Sequence, residues 1–456
     1  MKPSRSDALV FFGATGDLAY KQIYPGLHAL VRRGRLDMPI VAIGRKDLPV
    51  SEIVARAKES VTKAGGFDAA AFAKLSGLFR YVQVDYDEPA TFARIRAAIP
   101  ASKHPLHYVA LPPEVYEAVA TNLAKAGLHE GARLTLEKPF GHDAASAKAL
   151  SELLYEYFPE EAIFRIDHFL GKEPVENIVY FRAANPLVES GFSRDHVDYV
   201  EITMAEKFGV KGRAKFYDDV GAIRDVVQNH LIEVVACLAM ELPQGNSHDE
   251  LSAERGRLIA RIRALSNEDV VRGQVRGYKD EDGVRKDSTT ETFAAVRLAI
   301  DSPRWQGVPF FIRTGKSFPV TVTEAIVRWK AAQHPILDER VPAAPNYVRF
   351  RIGPDRGIAL GASVKKDGEA MVGEPTELVL CHTGAEQAAM TAYERLLGDA
   401  IEGERTLFAR KDAVEESWRV VDPIVPNQEV FPYDAGTWGP AEAERVAPPG
   451  GWTNPK

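Results

Sequence analysis

Apolar and polar positions change their spacing once along this chain, and the change divides it. Ala8–Phe12 is an unbroken apolar run, the pattern of a strand buried on both faces of a parallel sheet. Similar short runs follow at Ile40–Ile43, Tyr81–Val84, Leu106–Leu111 and Leu134–Leu136. Between them lie helix-compatible stretches: from the first turn to about Val31, then Glu52–Ala64, Pro89–Ala98, Val115–Ala126 and Ala144–Tyr157. Strand and helix in alternation predict a doubly wound parallel sheet with right-handed crossovers, a Rossmann-like α/β domain over residues 1–165. A helix over Glu173–Phe181 comes next. Beyond it the pattern becomes period two, at Val197–Met204, Glu291–Ile300, Glu324–Trp329 and Tyr347–Ile352. Residues 166–456 therefore predict a larger α+β domain with a mostly antiparallel sheet.

The 456 residues carry a net charge of −7 and 45% hydrophobic side chains. The acidic balance argues against a nucleic-acid partner, whose mark is a basic field. Two cysteines, Cys237 and Cys381, are too few for a disulfide framework or a thiolate cluster. Both sit in apolar runs and are expected to be reduced and buried, and no metal site is expected. No apolar run approaches the ~18 residues of a membrane span, and no leader pattern opens the chain. The expected compartment is the cytoplasm.

Ligands on parallel sheets bind at the carboxyl ends of the strands, so the loops there carry the candidate chemistry. Gly13-Ala14-Thr15-Gly16-Asp17-Leu18-Ala19 follows the first strand directly and opens a helix. Glycines let such a turn approach a pyrophosphate, and the helix N-terminus supplies free N–H groups. Gly44-Arg45-Lys46 follows the second strand. A basic residue at this point suits the 2′-phosphate of NADP, where an NAD site carries an acid; Asp47 leaves dual use open. Lys138, in Glu137-Lys138-Pro139, ends the fifth strand and can reach a nicotinamide ribose or a substrate, or simply face water.

Two further stretches concentrate polar groups among apolar ones. Arg165-Ile166-Asp167-His168-Phe169-Leu170-Gly171-Lys172-Glu173 reads either as a ligand site or as an ion-pair network at a domain junction. Asp167 is placed to orient an imidazole, and His168 and Lys172 to hold an anion. Ile223–Leu242 predicts one largely buried helix with Asp225, Asn229 and His230 in its first turns. His230 lies one turn from Val226 and Val234, which fits a packed core histidine more readily than a desolvated general base.

In this order and spacing, GATGDLA, EKPFG, RIDHFLGKE, RDVVQNH, FFIRTGK and the late AYERLLGDAIEGERTLFARKDAVEESWR resemble glucose-6-phosphate dehydrogenase over nearly the whole chain. The resemblance implies oxidation of C1 of glucose 6-phosphate to the lactone, with hydride passing to NADP. It implies His230 as base, with Asp167 orienting it. It implies that His168 and Lys172 bind the sugar phosphate, that Glu206 and Asp225 accept from sugar hydroxyls, and that Lys138 and Lys316 contact substrate. Gly13, Thr15, Gly16, Asp17, Leu18, Arg45, Tyr116 and Lys138 are the implied coenzyme contacts. The family forms dimers or tetramers through its large sheet, so a homodimer or homotetramer is expected.

Three positions depart from the family pattern. Phe169 stands where Tyr is usual, Gln22 where many members have Lys, and Thr321 near where some place a basic contact. They open the alternative of a paralogue for another sugar phosphate or sugar. A catalytically silent NADP-binding sensor is the third reading, opposed by the intact Asp167 and His230.

Overall fold

The computed structural model describes residues 4–245, 248–331, 346–368, 373–380, 390–425 and 429–456. Two compact units emerge. The first is Met1–Lys172 with Pro243–Ala253 and Ala389–Glu415; the second is Glu173–Leu242, Glu254–Ala388 and Glu416–Lys456.

The first unit holds six parallel strands: β1 (Ala8–Phe12), β2 (Ile40–Gly44), β3 (Phe79–Gln83), β4 (Pro105–Val109), β5 (Arg133–Glu137) and β6 (Ile163–Ile166), in the order β3-β2-β1-β4-β5-β6. This is the Rossmann order, with its switch point between β1 and β4. All five residues of β1 are buried. The sixth strand goes beyond the expected five. Its four residues include Arg165, a buried cation that breaks the apolar pattern and is held by Glu160 at 2.8 Å. A helix at Ala69–Leu78, capped by the Asp68 side chain on Ala71 N–H, is likewise additional. One face of the sheet is covered by a late segment: Tyr393, Leu396, Leu397, Ala400 and Ile401 of the helix Ala392–Glu402 share a core with Leu9, Phe164 and Ile166.

The second unit is built on nine strands: β7 (Val197–Ala205), β8 (Val270–Val275), β9 (Phe293–Ala299), β10 (Pro309–Gly315), β11 (Val322–Trp329), β12 (Tyr347–Gly353), β13 (Gly357–Lys365), β14 (Gly373–Leu380) and β15 (Phe431–Tyr433). Their order is β14-β13-β12-β11-β7-β10-β9-β8-β15. Neighbours are antiparallel except β7–β10 and β8–β15, so the expected mostly antiparallel sheet is present. The strand expected from Glu291 begins instead at Phe293, because Glu291 pairs with a helix end and not with a strand.

The single helix expected over Ile223–Leu242 is two elements. Ile223–Leu231 is wound as a π-helix and Ile232–Ala239 as an α-helix. Apolar spacing cannot distinguish these windings, and π-turns concentrate at functional sites. The α-helix ends at Met240, which is extended (ψ 156°). Its last carbonyls are capped by Arg182, fully buried, which donates to Cys237 O at 2.9 Å and Met240 O at 2.8 Å while Glu189 holds its Nε at 2.9 Å. Cys237 is buried at the end of that helix, and Cys381 lies outside the described residues. No helix among the described residues is long and apolar enough to cross a membrane.

Arg182→Ala strands those two carbonyls and one face of Glu189. Removing one member of a buried charged network costs about 3–5 kcal/mol, so the variant's urea midpoint should fall by that equivalent. An unchanged midpoint would remove Arg182 from the capping role.

Candidate active site

In the first unit, the glycine turn is closed by backbone contacts. Gly13 has φ +81°, and a Cβ on it would lie 2.2 Å from Ala110 O, so only glycine fits beside the end of β4. Gly16 N–H donates to Gly13 O at 2.9 Å, which brings Thr15, Gly16, Asp17 and Leu18 around to the helical turn Ala19–Ile23. Asp17 is exposed and ion-paired with Lys21 at 3.1 Å, and Gln22 is exposed on the same turn. Arg45 is exposed at the end of β2, its guanidinium 6.0 Å from the Tyr86 ring centroid. Two β3 side chains hold the backbone beneath it: Gln83 Nε2 donates to Arg45 O at 3.1 Å, and Tyr81 O–H donates to Lys46 O at 2.5 Å. The exposed Arg45 side chain thus leaves a braced backbone at the carboxyl end of the sheet.

Lys138 leaves the end of β5 through a cis bond to Pro139. The carboxylate before it, Glu137, is buried and receives Tyr108 O–H at 2.5 Å and Tyr393 O–H at 3.5 Å. Tyr116, also buried, donates its hydroxyl to Glu137 O at 2.7 Å, so it braces the backbone that carries Lys138. Burial pushes the Glu137 carboxyl up to about 7, against the opposing pull of the Tyr108 hydrogen bond and of Lys138.

The stretch after β6 is a tight turn. Asp167 is buried, and its Oδ1 accepts from Phe169 N–H at 2.9 Å. Leu170 N–H and Lys172 N–H return to Asp167 O and Phe169 O, each at 3.0 Å. The helix Ala392–Glu402 lies against this turn so closely that a Cβ on Gly171 would be 2.9 Å from Ala392 O. His168 stacks on Tyr393 with centroids 6.4 Å apart, and the Lys172 ammonium sits 3.5 Å from the Phe169 ring centroid. Phe169 thus offers Lys172 an aromatic face, worth ~0.5–2 kcal/mol to a cation, but no hydroxyl.

In the second unit the π-turn carries His230, 2% exposed, and Asp225 in its first turn. Asn229 donates to Arg224 O at 3.0 Å and accepts from His230 N–H at 2.7 Å, fixing the local winding. Lys316, just beyond β10, is ion-paired with Glu206 and lies 3.9 Å from Asp225. Its ammonium faces the rings of Tyr217 and Phe208, centroids 5.2 and 5.4 Å away. Thr321 accepts from Lys207 N–H at 3.0 Å, so it braces the loop that carries Glu206. Asp225, Glu206 and Lys316, scattered through the sequence, are therefore one cluster of alternating charge, suited to a polyhydroxylated ligand. His168, Lys172 and Asp167 form the corresponding polar turn of the first unit.

Residues 10–177 match the family described as the NAD binding domain of glucose-6-phosphate dehydrogenase, and residues 179–452 match its C-terminal domain. The chain is 40% identical to glucose-6-phosphate 1-dehydrogenase 1 of Mycobacterium tuberculosis, over 97% of this chain and 94% of the relative. The chain belongs to the glucose-6-phosphate dehydrogenase family. The glucose-6-phosphate 1-dehydrogenase of Aggregatibacter actinomycetemcomitans is 35% identical over 98% of this chain and 97% of its own. A crystal structure of the Mycobacterium avium enzyme superposes with a TM-score of 0.92 at 41% identity, covering 99% of each chain. A glucose-6-phosphate dehydrogenase in complex with glucose 6-phosphate superposes with 0.91 at 30% identity over the full length of both.

Two groups in this family member escaped the sequence reading. Glu137 was noted only as the neighbour of Lys138; its tyrosine partners come from β4 and from a helix that begins at residue 392. Tyr217 is 4% exposed, and its hydroxyl has no hydrogen-bond partner among the described residues. The adjacent aromatics of Phe216-Tyr217, shortly before the motif with Asp225, were the available signal.

The Glu137 carboxyl carries a pH dependence. Between its ordinary value of 4.5 and about 7, the folded chain binds a proton that the unfolded chain has released. Stability therefore falls as pH rises through that window and levels off above it. Glu137→Gln should flatten this trend by up to about 3 kcal/mol between about pH 5 and about pH 8, read from urea midpoints. Parallel trends in both proteins would show that Glu137 does not titrate there.

Proposed function

We propose that this protein oxidises C1 of glucose 6-phosphate to 6-phosphogluconolactone and passes the hydride to NADP, the entry reaction of the oxidative pentose phosphate route. One observation carries the reading. A chain 40% identical over its length to a named glucose-6-phosphate 1-dehydrogenase keeps a buried histidine on a π-turn in the unit where Lys316, Glu206 and Asp225 cluster. In the proposed mechanism His230 takes the proton of the C1 hydroxyl as C1 gives up its hydride. Asp167 orients His230 and stabilises the imidazolium that forms. His168 and Lys172 hold the phosphate. Glu206 and Asp225 accept from sugar hydroxyls, while Lys138 and Lys316 donate to the substrate.

For the coenzyme, Gly13, Thr15, Gly16, Asp17 and Leu18 receive the pyrophosphate at the helix N-terminus. Arg45 takes the adenosine 2′-phosphate and Lys138 attends the nicotinamide end, while Tyr116, the other coenzyme contact implied by the family, serves through the backbone it braces at Glu137. When bound, NADP supplies the hydride acceptor. Residues 1–165 serve it, and residues 166–456 serve substrate binding and self-association. A homodimer or homotetramer is supported by Val364, Leu378, Val379 and Leu380, apolar side chains left exposed on β13 and β14. A cytoplasmic location accords with both substrates.

Phe169, which lacks the hydroxyl of the tyrosine usual at this position, supports one second reading: another sugar phosphate or sugar as the preferred substrate. A kcat/KM panel of glucose 6-phosphate, glucose and other hexose phosphates with NADP and NAD decides between them. Glucose 6-phosphate with NADP should rank first; faster turnover of another sugar sinks the first reading, and no turnover at all returns the silent sensor. His230→Asn should abolish turnover while substrate still binds, and a retained kcat removes His230 from the chemistry. Arg45→Ala should raise KM for NADP far more than for NAD, because only NADP carries the 2′-phosphate. Equal increases would place the 2′-phosphate elsewhere.

A further inference from the structure

The sugar-site cluster of the second unit is held in register by three residues outside it, Glu291, Thr292 and Tyr433. At Gly221 the chain breaks helical geometry (φ 71°, ψ 175°), so the turn carrying Asp225 and His230 must start anew with unsatisfied N–H groups. Glu291 satisfies two of them. Ala222 N–H donates to Glu291 O at 3.0 Å, and Ile223 N–H donates to its carboxylate Oε1 at 2.9 Å. The approach is close: a Cβ on Gly221 would lie 2.5 Å from that same Oε1. The next residue, Thr292, accepts through its carbonyl from Lys316 N–H at 2.9 Å. Tyr433 O–H seals the joint, donating to Thr292 O at 3.2 Å and Lys316 O at 2.9 Å. Adjacent peptide units thus anchor the start of the π-turn on one side and Lys316 on the other.

We infer that Glu291 is a positioning residue for this site, its oxygens fixing where the turn bearing Asp225 and His230 begins relative to Lys316. Glu291 touches no reacting atom in this account. It acts through the helix start, as the acceptor whose removal lets Ile223 N–H and the first turn shift. Burial pushes the Glu291 carboxyl above its ordinary value, against the Ile223 N–H bond and the weaker pull of Arg272 and Arg224. The inference rests on reading this cluster as the sugar site.

The test uses the full-length protein with Glu291→Leu, which keeps bulk and removes the acceptor, and Glu291→Gln, which keeps an acceptor oxygen. Displacement of catalytic groups by about 1 Å costs on the order of 10²-fold in rate. Glu291→Leu should therefore lose kcat on that scale and raise KM for glucose 6-phosphate, with KM for NADP unchanged. Glu291→Gln should recover most of the loss. A folded Glu291→Leu with parental kcat and KM overturns the inference, as does a Gln variant no better than the Leu variant. Should Glu291→Leu not fold, Glu291→Asp decides: its carboxylate is withdrawn by one methylene, and parental kinetics there overturn the inference. Amide hydrogen exchange over residues 222–231, faster in Glu291→Leu, reads the shift without turnover. A parent protein inactive on every sugar phosphate defeats the proposed activity alone, whereas unchanged exchange defeats this inference.

Discussion

Backbone polar groups at a helix end must find partners, and the second unit is arranged around that constraint. The helical run from Ile223 to Ala239 is broken before its first residue and stopped after its last. At one end a carboxylate and a carbonyl of Glu291 take the N–H groups, and at the other the guanidinium of Arg182 takes the carbonyls. An acceptor at the N-terminus and a cation at the C-terminus also complement the helix dipole. With both ends pinned, the winding between them is constrained, and the π-turn places Asp225 and His230 where an α-helix of the same residues would not.

The first unit solves a different problem, the close approach of backbone to ligand. Gly13 lets the turn sit directly against the backbone that follows β4 at the switch point, because any side chain there would strike Ala110 O. Glu137 and its tyrosines form a buried polar knot behind Lys138, and the turn after β6 folds its own N–H groups back on Asp167 and Phe169. These devices rigidify the loops without occupying the face that meets a ligand. The lysine over Phe169 follows the same economy, since a ring face steers an ammonium without consuming an acceptor.

Much of this was legible in the residues because the signals were local. Period-two and buried-run patterns located the strands, and the glycine turn fell directly after β1. Arg45 could be singled out because the acid expected in an NAD site was missing from that position. What stayed hidden was non-local or isotropic to pattern. A π-turn and an α-helix bury similar residues, so the winding over Ile223–Leu231 left no periodic trace. Arg165 disguised β6 because a buried cation looks polar until Glu160 is seen beside it. Glu291 read as the first residue of a strand, and only the positions of Ala222 and Ile223, far from it in sequence, show otherwise. For His230 the residues favoured a packed core histidine over a base, and only the resemblance of whole motifs, not spacing, pointed to the second.

The helix that covers the parallel sheet of the first unit raises a matter of timing during synthesis. Phe164 and Ile166 emerge from the ribosome long before Leu396, Leu397 and Ile401, the side chains that bury them. At about 5–20 residues per second the sheet waits on the order of ten to forty seconds with that apolar face uncovered. The unit begun first is therefore finished among the last, after most of the second unit has been made. During that interval the nascent chain presents a sticky surface of its own making, and a chaperone has its clearest claim on it there.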